Sequence, residues 1–234
     1  MHSDLVTHAQ LTREAQDRFA ERSQQRFSAA QKAGKFKDEI TAVEMRGKKG
    51  VEAFAVDEAP RPDTTMEVLA KLRPAFRENG TITAGNAPGL NSSAAAMIVA
   101  ERAFAETRSV GPVARLVSYG VAAVEPGMFG LGPVPAVRKA LERAGWKLGD
   151  LERIEINEAF AAVPLAVAQE LGLPEDIINV EGGAIADGHP IGATGAVLTT
   201  RLIHSMRRDG LKRGMVTLCI GGGQGIALAI ETNA

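Results

Sequence analysis

GMVTLCIGGGQGIALAIE, residues 214–231, is the stretch from which the rest of the chain can be read. Two apolar runs, GMVTLCIG and GIALAIE, flank a group of glycines, and this pattern predicts two strands paired as a hairpin. Cys219, the only cysteine in 234 residues, stands directly before three glycines. Two readings are open. The sulfur fills a strand interior while the glycines only turn the chain, or it faces a substrate that bare backbone allows to come close.

Upstream of this hairpin, short apolar runs alternate with helical patterns from about Pro112 onward. VARLVSYGVAAV (113–124) and the start of LERIEINEAFAAVPLAVAQELG (151–172) suit strands. PVPAVRKALERAG (133–145), the end of 151–172 and GAVLTTRLIHSMRRDG (195–210) suit helices. Strand–helix alternation of this kind predicts an α/β layered domain. The amino-terminal part differs. Residues 11–33 have helical period, with Ala15, Phe19, Phe27 and Ala30 on one side, Thr12 as cap and Gly34 as stop. FKDEITAVEMRGKKGVEAFAVDEAPRPDTT (36–65) holds short strand-like runs, a GKKG turn and two prolines, as a surface excursion does. TITAGNAPGLNSSAAAMIVAERAFAE (81–106) predicts a strand, a tight turn and a helix starting near Asn91. That helix is apolar on most sides, from Ala94 to Ala100, so it needs cover that the first ninety residues do not supply. The divisions expected are 1–84, 85–108 and 109–234.

Composition bounds the function. Apolar residues make up 45%, charged residues 24%, and the net charge is −1. No basic field points to nucleic acid. No apolar run approaches the ~20 residues of a membrane helix, and the first ten residues lack a secretory pattern. With a single cysteine there is no internal disulfide. A soluble, cytoplasmic protein without nucleic-acid or membrane partners is expected.

Three polar or glycine-rich loops follow strand-like runs: INEAF with Asn157, EGGAIADGHPIGATGA with His189, and CIGGGQG with Cys219. Loops at the carboxyl ends of strands gather at one edge of an α/β sheet, where ligands bind. Each residue also has a structural reading: His189 as a loop imidazole, Cys219 as a small buried hydrophobe, Asn157 as a helix cap. The glycines suit tight turns or a phosphate at a helix start, but no Walker lysine follows and GxGxxG is absent. One Cys and four scattered His have no metal-ligand spacing, so no metal is expected. Together, a thiol and an imidazole can exchange protons near neutral pH if the site depresses the thiol pKa, Asn157 can orient a water, and the N–H groups after Cys219 can meet an oxyanion. That set suits proton abstraction beside a thioester carbonyl, or acyl transfer.

At INEAFAA (156–162), GGAIADGHPIGATGA (182–196) and CIGGGQGIALAIE (219–231) the sequence resembles the thiolases, of the acetyl-CoA acetyltransferase and β-ketothiolase type. The likeness continues through GMFGLGPVPAVRKALERAG (127–145), LRPAFRENGTITAGNAPGLN (72–91) and FKDEI (36–40). The resemblance implies a thiolase-like layered α/β fold, made of the C-terminal half and part of the loop domain, with the N-terminal half absent. It implies that His189 activates a nucleophilic cysteine and that Cys219 is the second acid/base. Asn157 would hold a water for one oxyanion hole, and the Gly221 N–H would serve the other. Phe160 and Met128 would line the acyl and pantetheine pocket. Substrates would be acyl-CoA thioesters with no further cofactor, in a homodimer, a homotetramer or a complex with a chain supplying the N-terminal half.

There are departures. The nucleophilic cysteine of thiolases lies in their amino-terminal half, whereas the surroundings of Cys219 match the acid/base cysteine. Pro88 replaces a serine of the GNASG loop that helps hold pantetheine, and Asn91-Ser92-Ser93 replaces Asn-Asp-Gly. Lys48 in GKKG would meet a CoA phosphate or stand as a solvated turn lysine. A non-catalytic remnant acting as a CoA-binding or interaction module is the alternative. A condensing enzyme using another thioester carrier is a weaker third, disfavoured by NEAF, GHPIGATG and CIGGG together.

Overall fold

The computed structural model describes residues 5–6, 8–47, 50–109, 111 and 113–232. A long helix, α1 (Arg13–Lys32), is followed by an exposed hairpin of β1 (Val43–Gly47) and β2 (Gly50–Phe54) and two short helices, α2 (Met66–Ala70) and α3 (Arg102–Thr107). The remainder is β3 (Arg115–Ala123), α4 (Pro133–Ala144), β4 (Arg153–Ile156), α5 (Ala162–Leu171), α6 (Ala184–Asp187), α7 (Thr194–Arg208), β5 (Arg213–Ile220) and β6 (Gln224–Glu231). Four strands make one sheet in the order β3-β6-β5-β4. β6 runs antiparallel to both neighbours, while β4 and β5 are parallel.

Helices cover both sheet faces, the layered α/β arrangement expected. One face packs on α4 and α5 through Val137, Ala140, Val163, Val167, Ile156 and Met215, all nearly inaccessible. The other packs on α7 through Leu202, Met206, Val216 and Ile230. Burying a side chain of this size contributes ~1.5–3 kcal/mol, so these two layers supply most of the hydrophobic stabilisation.

α1 starts where its sequence signals it. Thr12 Oγ1 accepts from Ala15 N at 3.1 Å, and Gly34 ends the run with φ +71°. A cap of this kind is worth about 1 kcal/mol. Phe19, Phe27 and Ala30 are buried as the period predicts, but so are the polar residues Gln16, Asp17, Ser23 and Gln24. These polar positions bind loops rather than core. Asp17 Oδ1 accepts from Asn86 Nδ2 at 2.8 Å, and Gln24 Nε2 donates to Ile185 O at 2.9 Å.

The structure corrects the expected helix over 91–106. Only Arg102–Thr107 is helical, and residues 91–101 have no regular structure. Leu90 is 86%, Ile98 100% and Val99 75% exposed. A short helix apolar on every side is unstable unless neighbours cover it, and no described element does so here. No described helix is long and apolar enough to cross a membrane.

Candidate active site

The parallel pair β4/β5 sets the site. Ile156 lies opposite Thr217, and Asn157 N donates to Thr217 O at 3.0 Å, so pairing runs one residue past β4. Cys219 lies two residues beyond Thr217, ~6.6 Å further along the strand. Both predicted residues therefore stand at the carboxyl edge of neighbouring strands.

Asn179 closes the open edge of β4. Its side chain accepts from Ile156 N and donates to Ile156 O, each at 2.8 Å, from a left-handed backbone at φ 42°. Beside it Glu158 is fully buried. Its Oε2 accepts from Ser23 Oγ at 2.7 Å and Ile185 N at 3.0 Å, and its Oε1 accepts from Asn179 Nδ2 at 2.9 Å. Thus α1, β4 and α6 are tied at the residue next to Asn157.

His189 enters from the loop between α6 and α7, and it meets Asn157: Nε2 lies 3.3 Å from Asn157 Nδ2. Its Nδ1 lies 2.7 Å from Thr194 Oγ1, whose hydroxyl donates to Pro190 O at 2.9 Å. With the hydroxyl proton so placed, Oγ1 accepts from Nδ1–H, which leaves the lone pair on Nε2 facing the amide. Partial burial lowers the imidazole pKa, so the ring is neutral at pH 7. The contact at 3.3 Å is long, so an incoming proton donor can displace it. His189 N donates to Gly89 O at 3.0 Å, and Asn86 O accepts from Ala161 N at 2.9 Å. The GNAPG loop therefore bridges the NEAF and GHP segments. A cleft of about 450 Å³ opens beside His189 between Asn91, Ser93, Pro190, Ile191 and Ala193.

Cys219 is half-buried and packs against the apolar cluster containing Ile156, Ala162 and Met215. Against the depressed thiol pKa that ready proton exchange with an imidazole would need, burial in these surroundings pushes the thiol up to about 12, so the sulfur rests protonated. The β5–β6 turn carries Gly221, Gly222 and Gly223. Gly223 has φ +89° and lies so near Val124 O that a Cβ would sit 2.4 Å away. Its O accepts from Val124 N at 2.6 Å, which lays the 124–128 turn against the hairpin. Gly221 is exposed, with open space where a side chain would project.

The remaining expected residues are placed as follows. Met128 is half-buried in a 3₁₀ turn, Pro126–Leu131. Phe160, after NEA, meets Phe76 edge-on with centroids 6.1 Å apart. Pro88 is half-buried in the loop that contacts His189 N. Lys48 lies outside the described residues. Thr194, Asn179 and Asn86 were not singled out from sequence. Thr194 follows His189 by five positions, and only the turn between them brings the hydroxyl to the ring.

The contacts join the neutral imidazole of His189 to the amide of Asn157, whereas the protonated thiol of Cys219 stands on the neighbouring strand against the apolar cluster of Ile156 and Met215. Imidazole, thiol and amide are groups suited to proton transfer beside an acyl group. This chemistry on this fold has relatives. Residues 110–232 match the profile of the thiolase C-terminal domain and residues 2–103 that of the thiolase N-terminal domain. The chain belongs to the thiolase family. It is 52% identical over 223 residues to the acetyl-CoA acetyltransferase of Shinella zoogloeoides, covering 95% of this chain and 57% of that protein. It is 53% identical over 222 residues to the beta-ketothiolase BktB of Cupriavidus necator, covering 94% and 56%. The crystal structure of the Bacillus anthracis acetyl-CoA acetyltransferase superposes with TM-score 0.92 at 44% identity, over 98% of this chain and 58% of that one. Human mitochondrial 3-ketoacyl-CoA thiolase in complex with CoA gives 0.90 at 42%, over 99% and 57%.

The chain spans somewhat more than half the length of the relatives it matches. The expectation that the N-terminal half is absent is not supported, because residues 2–103 match the N-terminal domain profile.

Proposed function

We propose that this chain carries the acid–base part of an acyl-CoA C-acyltransferase, which joins acetyl-CoA to an acyl-CoA by Claisen condensation or cleaves a 3-ketoacyl-CoA with CoA. The contact of His189 with Asn157 at the strand edge that also bears Cys219 carries the reading. In the condensing direction Cys219, as thiolate, removes a proton from the α-carbon of acetyl-CoA. The resulting enolate forms its C–C bond to the carbonyl of an enzyme-bound acyl thioester. The C–S bond then breaks, and the departing thiolate takes its proton from the imidazolium of His189, which the neutral ring became by receiving the proton given up when the Cys219 thiolate formed. Asn157 and the Gly221 N–H stabilise the oxyanions. In the cleavage direction the neutral imidazole of His189 deprotonates the nucleophilic thiol. Phe160, Met128 and Pro88 line the path of the acyl and pantetheine arm, and a CoA phosphate is the group assigned to Lys48. CoA thioester is the substrate, and no other cofactor enters the reaction.

The scheme needs two thiols, and Cys219 is the only cysteine in the 234 residues. The acyl-carrying sulfur therefore comes from polypeptide outside these residues. The test follows loss of the ketoacyl absorbance of acetoacetyl-CoA on addition of CoA. It compares this chain with a version joined to the remaining thiolase segment. Turnover only in the joined protein is expected. Turnover by the 234 residues alone would contradict the assignment of Cys219, and none in either would favour a non-catalytic CoA-binding module.

A further inference from the structure

Three buried oxygens on one face of β4 accept no hydrogen bond from the described protein: Glu155 Oε1, Glu155 Oε2 and Asn157 Oδ1. Both residues are 1% exposed. The face is defined by alternation: Arg153, Glu155 and Asn157 point the same way, toward α7. Arg153 confirms this by donating to Asp209 Oδ2 at 2.7 Å just past the carboxyl end of α7. At the helix's other end Asn157 reaches His189 and, through it, Thr194. Glu155 lies between them. Residues two apart on a strand are ~6.6 Å apart, a gap that a glutamate side chain and one water can close.

We propose that Glu155 is a positioning residue: its carboxylic acid donates, through one buried water, to Asn157 Oδ1, and so turns the Asn157 amide until Nδ2 faces His189 Nε2. The hydrogen bonds then run in one direction, from Glu155 to water, Asn157, His189, Thr194 and Pro190 O. Each member donates to the next, so the amide orientation set from Glu155 and the Thr194 bond to Pro190 O favour the same Nδ1–H tautomer of His189. An amide turned the other way would present Oδ1 to the ring and draw the proton onto Nε2, leaving no base there.

Burial holds the Glu155 carboxyl up at about 8, so at pH 7 the neutral acid donates to the water and leaves the water's protons for Asn157, whereas the carboxylate formed above that value takes one of them. The charged groups facing it are Arg201 from α7 and Arg153 from β4, which lower the value, and Glu158 and Glu181, which raise it. Arg201 is itself engaged by Glu39 at 2.6 Å and by Asp187 at 3.8 Å, which leaves Glu155 outside its hydrogen-bonding shell.

This inference takes its importance from the proposed function, but its test does not depend on turnover. ¹⁵N-histidine NMR of the 234-residue chain reads the His189 tautomer directly, with H189Q used to assign the signal. In the wild type the Nδ1–H tautomer dominates at neutral pH, and the ring signal shifts with a midpoint near the Glu155 value of about 8. E155Q, whose amide still donates, is expected to keep the tautomer and lose the step. E155L is expected to weaken the Nδ1–H preference, leaving only the Thr194 bond to support it. A step near pH 8 that persists in E155Q overturns the proposal, as does an unchanged His189 spectrum in folded E155L. If E155L does not fold, the E155Q titration decides alone.

Discussion

His189→Ala, made in the joined protein, is expected to lower kcat/KM by roughly 10²–10⁴, the range that a positioned acid–base group supplies. The folded state should survive, because the ring is half-buried and its removal leaves Asn157 Nδ2 next to an open cleft. The pH profile gives the sharper test. Burial moves the imidazole below its ordinary 6.5, so the base form persists into mildly acid solution and the acid limb of kcat/KM should fall below pH 6.5. An acid limb above that value would mean that a neighbouring negative charge, absent from its hydrogen-bonding shell, controls the ring.

Glu158→Gln is expected to cost ~2–3 kcal/mol of folding stability, seen as a lower urea midpoint at pH 7 with unchanged slope. Every group around the carboxylate is a donor: Ser23 Oγ, Ile185 N and Asn179 Nδ2. Asn179 cannot turn to offer its oxygen, since that atom already accepts from Ile156 N. A glutamine amide would therefore point its own donors at a donor. An unchanged midpoint would show that Glu158 is neutral and rearranges freely, and would weaken the account of how Asn157 is held. The loss should also appear in kcat, because the adjoining Asn157 carries the contact to His189.

The two predictions depend on residues that were unequally visible in the sequence. The hairpin within 214–231, the helix from Thr12 and the alternation after about Pro112 follow from period and punctuation, because each depends on local patterning. The segment 91–101 does not: its alanines favour a helix, but helix formation there depends on neighbours, and period carries no information about them. α1 was legible as a helix only. That its buried side includes Asp17, Ser23 and Gln24 depends on loops at positions 86, 158 and 185 folding against it. At the site, His189, Asn157 and Cys219 stand out in motifs, whereas Glu155 and Asn179 look like ordinary strand and loop residues. Their roles come from the parallel register of β4 with β5 and from a left-handed turn at 179.

Cys219 remains the centre of the functional account, and hydrogen exchange isolates it. In D₂O, the joined protein is expected to exchange the α-protons of acetyl-CoA for deuterium, read by mass spectrometry. With the thiol at about 12, the thiolate fraction grows about tenfold per pH unit, so the rate should climb through neutral pH without a plateau below pH ~10. Cys219→Ala should abolish this exchange while CoA binding persists. Exchange that continues at the wild-type rate in Cys219→Ala would show that another group handles the carbon acid, and the proposed chemistry at this sheet edge would be wrong.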